Sequence, residues 1–145
     1  MQTQIRTATQ ADEAEVYRLI CILEDTALDR AAFADIYREQ LADPSHHIIL
    51  VGQAEVGLCA VLHLRCEGQL HHAAKTAELL EFCVDPARRG QGTGGQLFRA
   101  ACEAARRAGC VQVNLVSNVS RTAAHRFYER QGMVHSHAGF TLDLG

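Results

Sequence analysis

The chain has 145 residues, a formal net charge of -3, 48 % hydrophobic residues and 21 % charged ones. That is one globular domain's worth of chain, and its charge gives no chain-wide electrostatic case for nucleic acid or an anionic membrane as partner. No apolar run reaches the roughly 18 to 20 residues of a membrane span, and the opening MQTQIRTATQADEAEV has no secretory h-region, so a cytoplasmic location is expected. Cys21, Cys59, Cys66, Cys83, Cys102 and Cys110 form no CxxC pair and lie mostly in apolar runs, which predicts reduced thiols that pack as small hydrophobes.

The elements follow in chain order. QIRTAT predicts a short strand, ended by Thr9 with Asp12 three residues on, a capping box in which Asp replaces Glu or Gln. Val16, Leu19, Ile20 and Leu23 recur at helical spacing and predict a helix over 11–24. ALDRAAFADIYREQLADP predicts a second helix, with Phe33, Ile36, Tyr37 and Leu41 on one face and Pro44 as its stop. HHIILVGQAEVGLCAVLHLRC predicts an antiparallel hairpin turning near 53–55. A polar stretch with a histidine pair, EGQLHHAAKT, leads to a further strand, AELLEFCV. A glycine-rich loop then opens a helix over 92–108, closed by Arg106, Arg107 and Gly109. VQVNLVS predicts a strand, SRTAAHRFYERQG a helix, and HAGFTLDL a final strand. The order is βααβββαβαβ, an α/β chain with a mixed sheet and helices on its faces.

The loop VDPARRGQGTGGQLF carries the chemistry. Gly90, Gly92 and Gly95 formally satisfy G-x-G-x-x-G, but the run follows the fourth strand, and no acid stands between Glu103 and Glu129 to hold a ribose. A P-loop fails as well, because no Gly-Lys-Ser/Thr follows the glycines. What remains is a strand, a proline, arginines and successive backbone N–H groups at a helix N-terminus, an arrangement suited to a pyrophosphate. Arg89, Gly90, Gln91, Gly92, Thr93 and Gly94 resemble the R/Q-x-x-G-x-G/A signature of the GNAT N-acetyltransferases. Asn118, the run TAAHRFYERQGM, Tyr128 and Gly132 resemble the same family's second motif, with Arg130 in place of Lys and Met133 in place of Phe.

The resemblance covers nearly the whole chain and implies a single GNAT domain over 1–145. It implies a mixed, mostly antiparallel sheet of six to seven strands, splayed between strands 4 and 5, with about four flanking helices. It also implies acetyl-CoA as cosubstrate, held by Arg89, Gly90, Gln91, Gly92, Thr93, Gly94 and Gly95, by the backbone of Phe82, Cys83 and Val84, and by Asn118. VYRLICIL with Asp29 and Phe33, LHLRCEGQLHHAAKTAELLEF, and AHRFYERQG followed by SHAGFT are similar to the aminoalkylphosphonate N-acetyltransferases of bacterial phosphonate utilisation. That likeness implies acetyl transfer to the amine of a small aminoalkylphosphonate in a ternary complex, assisted by a divalent metal ion.

An alkyl amine titrates near 10 and attacks a thioester only when neutral, so a base is needed. Glu78, six residues before Val84, resembles in position the catalytic glutamate of the family's histone-acetylating branch and is the first choice, with Glu81 as runner-up. In an unbroken strand their side chains point to opposite faces, so only one reaches the cleft unless a bulge intervenes. A backbone N–H freed by the splay would polarise the thioester carbonyl. Tyr128 is the expected general acid for the leaving thiolate, and Cys83, nearest the cofactor motif, is read as packing.

His71, His72 and His137 are candidates for binding the phosphonate or its metal, although no H-x-H or H-x-x-x-H spacing fixes the ligands. Adjacent histidines on an extended segment diverge, which argues against His71 and His72 sharing one ion. Arg65, Lys75 and Arg121 are further sources of positive charge. The partner is a small-molecule amine, with GFTLDL offering an edge for a homodimer. Two alternatives stand beside this reading: a GNAT enzyme for another small amine (a polyamine, amino acid or aminoglycoside), and a non-catalytic acyl-CoA-binding module.

Overall fold

The computed structural model describes residues 3–145. The chain divides into two compact units, the first ending at Asn114 and the second Leu115–Gly145.

In the first unit, strand β1 (Gln4–Thr7) leads through a 3-10 turn to helix α1 (Glu13–Glu24). The turn is fixed by Asp12, whose carboxylate accepts from the Thr9 backbone N–H at 2.8 Å and from both terminal nitrogens of Arg6, each at 2.8 Å. Helix α2 (Arg30–Leu41) is capped by Asp29, which accepts from the Ala32 N–H at 2.8 Å. Strands β2 (His47–Ala54), β3 (Gly57–Gln69) and β4 (Ala74–Val84) form an antiparallel meander. The first hairpin turns at Glu55 and Val56, slightly later than the sequence predicts. The second turns at 70–73, because β3 and β4 run several residues beyond their apolar cores. The histidine pair therefore sits in a tight turn rather than on an extended segment.

Helix α3 (Thr93–Arg107) follows the glycine loop and ends where Gly109 takes a φ of +88°. Strand β5 (Val113–Leu115) completes a sheet of order β1-β2-β3-β4-β5. Its approach is tied to β4 by the Val111 N–H donating to the Lys75 carbonyl and the Ala77 N–H donating to the Gln112 carbonyl, each at 2.9 Å.

Pairing assigns the two faces of the sheet, since directly opposed residues project to the same side. Ile49, Val51 and Val61 meet Val16, Leu19 and Ile20 of α1 and Tyr37 of α2 in one core. Leu62, Leu64, Leu79 and Phe82 project to the other side, where Phe98 of α3 stacks on Phe82 at 6.5 Å between ring centroids. All six cysteines are free of disulfides, and Cys59, Cys66 and Cys83 are buried. Burial pushes the Cys66 thiol up to about 11, which keeps it a packing group rather than a thiolate.

The second unit holds helix α4 (Thr122–Arg130), closed by Gly132 at a φ of +94°. Residues 133–145 form no regular element. The sheet thus has five strands instead of the expected six to seven. The missing one is HAGFTLDL, whose apolar alternation is a genuine strand signal but which finds no ladder partner among the described residues. Phe140, Leu142 and Leu144 of that segment are exposed.

Candidate active site

A bulge in β4 sets the site. His63 pairs with Glu81 while the next residue, Leu64, pairs with Leu79, so Leu80 is the extra residue with no partner in the ladder. Glu78 faces Arg65, two residues from His63 on β3. Because β3 is regular there, Arg65 and His63 share a face, and so do their partners. The insertion brings both carboxylates to the α1/α2 side of the sheet, where an unbroken strand would have separated them.

The two carboxylates have different partners. Glu78 accepts from an Arg65 terminal nitrogen at 2.6 Å, and the Arg65 Nε lies 3.4 Å from Glu67. The Glu81 Oε1 lies 2.7 Å from the Nδ1 of His63, whose side chain is only 3 % exposed while that of Glu81 is 39 % exposed. The second ring nitrogen of His63 lies 2.8 Å from the Nδ1 of His47. Burial, and then the neighbouring His63, hold His47 below the usual histidine range, which favours its neutral form. Glu81 and His63 form the polar end of a cleft of about 120 Å³, walled by Ile20 of α1 and by Phe33, Ile36 and Tyr37 of α2. The Tyr37 hydroxyl donates to the Thr9 carbonyl at 2.7 Å, and burial raises its pKa, so it stays a neutral phenol.

The anion loop begins where β4 ends. Asp85 accepts from the Ala87 N–H at 3.0 Å and from Arg18 at 2.9 Å, which anchors the turn on α1. Arg88 donates to the Gln91 side chain at 3.1 Å. Arg89, Gly90, Gln91 and Gly92 are exposed. Gly90 and Gly92 hold φ values of +80° and +79°, a left-handed geometry that glycine adopts without a Cβ clash. The first α-helical bond of α3 is Gln96 N–H to the Gly92 carbonyl. The N–H groups of Thr93, Gly94 and Gly95 therefore lie in the first turn, where no intrahelical acceptor exists.

In the second unit, the Asn118 Oδ1 accepts from the Ser120 N–H at 2.9 Å and its hydroxyl at 2.7 Å, which shapes the turn into α4. Tyr128 packs edge-on against Phe127 with ring centroids 5.6 Å apart. Burial, the larger influence, outweighs Arg121 and raises the Tyr128 pKa above the ordinary phenol value.

These parts of the chain have counterparts in known proteins. Residues 13–133 match the family described as Acetyltransferase (GNAT). The chain belongs to this family. It is 40 % identical over 142 residues, covering 97 % of this chain and 91 % of the relative, to the aminoalkylphosphonate N-acetyltransferase of Salmonella typhimurium. Among solved structures, a transcriptional regulator from Bacillus halodurans is similar at a TM-score of 0.90 and 23 % identity, covering 99 % of this chain and 100 % of that one. Glucosamine-6-phosphate N-acetyltransferase from Arabidopsis thaliana is similar at a TM-score of 0.81 and 19 % identity, with both chains fully covered. Likeness at these identities establishes the fold, while family and relative together make the chain an acetyl-CoA-dependent N-acetyltransferase.

Within this GNAT enzyme, several residues singled out in the sequence have structural employment. Lys75 donates to the Ala108 carbonyl at 3.1 Å, at the C-terminal end of α3, where a cation is favoured by the helix dipole. Arg65 is engaged by Glu78 and Glu67. Cys83 belongs to the core under α1. The His71 and His72 rings lie side by side in their turn, 4.2 Å between centroids, where an extended segment would have parted them. His137 is exposed, with its Nδ1 2.6 Å from the Ser136 hydroxyl. Among the described residues, no group of three or more His, Cys, Asp or Glu side chains is arranged to hold a metal ion.

His47 and His63 carry no sequence motif. Their signal lies in the β2–β3–β4 register, which local spacing does not specify.

Proposed function

We propose that the protein is a cytoplasmic, single-domain enzyme that moves the acetyl group of acetyl-CoA directly to the primary amine of a small aminoalkylphosphonate. The observation that carries the substrate class is the 40 % identity over 97 % of the chain to the Salmonella typhimurium aminoalkylphosphonate N-acetyltransferase. The small cleft beside Glu81 supports a compact acceptor, since drug-sized ligands occupy sites of roughly 300–1,000 Å³.

In this reading, the exposed loop from Arg89 to Gly92 and the N–H groups of Thr93, Gly94 and Gly95 hold the pyrophosphate. Phe82, Cys83 and Val84 offer backbone groups to the pantetheine arm beyond a β4/β5 splay, and Asn118 holds the same arm. Glu81, at the cleft, takes the proton of the acceptor ammonium; Glu78, on the same face but ion-paired with Arg65, is the second candidate. The neutral amine attacks the thioester carbonyl, a β4 N–H stabilises the developing oxyanion, and Tyr128 gives its proton to the departing CoA thiolate. The His71–His72 turn lies beyond the far end of the β3–β4 ladder, roughly 20 Å from the His63–Glu81 pair at about 3.3 Å per residue. A compact acceptor anchored at Glu81 does not reach it, so these two histidines are left without a role at the phosphonate end. A divalent ion enters as a companion of the phosphonate oxygens, which are hard donors.

Initial rates with 2-aminoethylphosphonate and acetyl-CoA varied together test the direct transfer. Intersecting double-reciprocal lines and an N-acetylated product by mass support it; parallel lines indicate an acyl-enzyme and overturn it. Glu81→Gln is expected to lower kcat by about 10²-fold or more, the usual scale for a general base, and Glu78→Gln by less. The reverse ranking transfers the base to Glu78.

A further inference from the structure

We infer that His63 is a positioning residue for the base, fixing one oxygen of Glu81, and that His47 supports the ring of His63 through its other nitrogen; this rests on Glu81 being the base proposed above. A buried imidazole is tolerated only with its polar atoms satisfied, and both ring nitrogens of His63 are engaged.

The proton positions follow from the partners. An ionised Glu81 can only accept, so the Nδ1 of His63 carries hydrogen and donates to Oε1. In the neutral form of His63 the Nε2 is bare and accepts, with the Nδ1 of His47 as the donor 2.8 Å away. Burial, as the larger cause, holds His47 below the usual histidine range and favours its neutral ring. The arrangement holds Oε1 from the buried side and leaves Oε2 as the oxygen that can reach an ammonium in the cleft. The three residues come from three strands. Ile49, His63 and Glu81 form one cross-strand row, and His47 lies diagonally from His63 with Arg65 opposite it.

Imidazole replacements separate this role from packing. Asn places an amide N–H near the position of the His Nδ1, so His63→Asn keeps the donor to Glu81 and His47→Asn keeps the donor to His63. His63→Ala is expected to lower kcat at least tenfold with the KM for acetyl-CoA within twofold, His63→Asn to recover much of that loss, and His47→Ala to fall between them. His47→Asn should recover most of the loss seen in His47→Ala. In the Glu81→Gln background, His63→Ala should lower kcat no further, because a residue acting through Glu81 loses its effect when Glu81 is gone.

Full kcat in folded His63→Ala, or an equal loss with and without Glu81, overturns the inference while leaving the base assignment standing. If Glu81→Gln itself keeps wild-type kcat, the base assignment falls and this inference with it. Should His63→Ala fail to fold, the His63→Asn and His47→Ala pair carries the test: wild-type kcat in His47→Ala overturns the supporting role of His47.

Discussion

Tyr128 is the residue whose proposed role depends most on its protonation. A general acid must hold its proton at working pH, and burial raises the Tyr128 pKa, so the neutral phenol persists beyond the ordinary tyrosine range. Tyr128→Phe is therefore expected to lower kcat by about 10²-fold. The KM for acetyl-CoA should be little changed, as measured by steady-state thiol release. The wild-type kcat should show no loss assignable to tyrosine ionisation below about pH 10. The residue was legible because Tyr128 stands at a fixed distance from Asn118 and Gly132 in a local motif. His63 was not, because its significance arises only when strand pairing brings it against Glu81, eighteen residues further along the chain.

At the scale of elements, β4 and the loop after it carry the site. Two glutamates three residues apart predict opposite faces, and only the extra residue Leu80 reconciles them on one side. The bulge was legible as a condition and not as a place, since nothing local in AELLEFCV marks which residue drops out of the ladder. The loop was more fully readable, because its glycines announce the positive φ angles that Gly90 and Gly92 adopt. A Cβ at Gly92 meets nothing within 4 Å, so Gly92→Ala acts through backbone conformation alone. Left-handed geometry costs a non-glycine residue roughly 1–2 kcal/mol, which predicts a KM for acetyl-CoA raised about tenfold and a small fall in Tm. An unchanged KM would remove Gly92 from the pyrophosphate site.

At the scale of the whole molecule, composition and periodicity led to the helices and the meander, since each buries a face that its own sequence marks. The final strand escaped because alternation in HAGFTLDL identifies a surface able to pair but not a partner. The stability of the first unit depends on pH through Asp12, whose carboxylate is held below the usual range chiefly by its hydrogen bonds to Arg6. A depressed carboxyl stabilises the fold fully above its unfolded pKa and loses that contribution as pH falls through the folded value. Urea unfolding should show a loss of stability from about pH 5 downward, and Asp12→Asn should be less stable at neutral pH yet show a shallower acid decline. An unchanged acid slope in Asp12→Asn would assign the acid sensitivity elsewhere.

The central claim is the substrate, and the most direct test is CoA thiol release from acetyl-CoA. Aminomethylphosphonate and 2-aminoethylphosphonate would be compared with spermidine and glycine, each with and without a chelator. The account predicts turnover selective for the phosphonates and lowered by the chelator. Turnover of spermidine or glycine with none of either phosphonate would contradict the proposed substrate and leave an N-acetyltransferase for a different small amine.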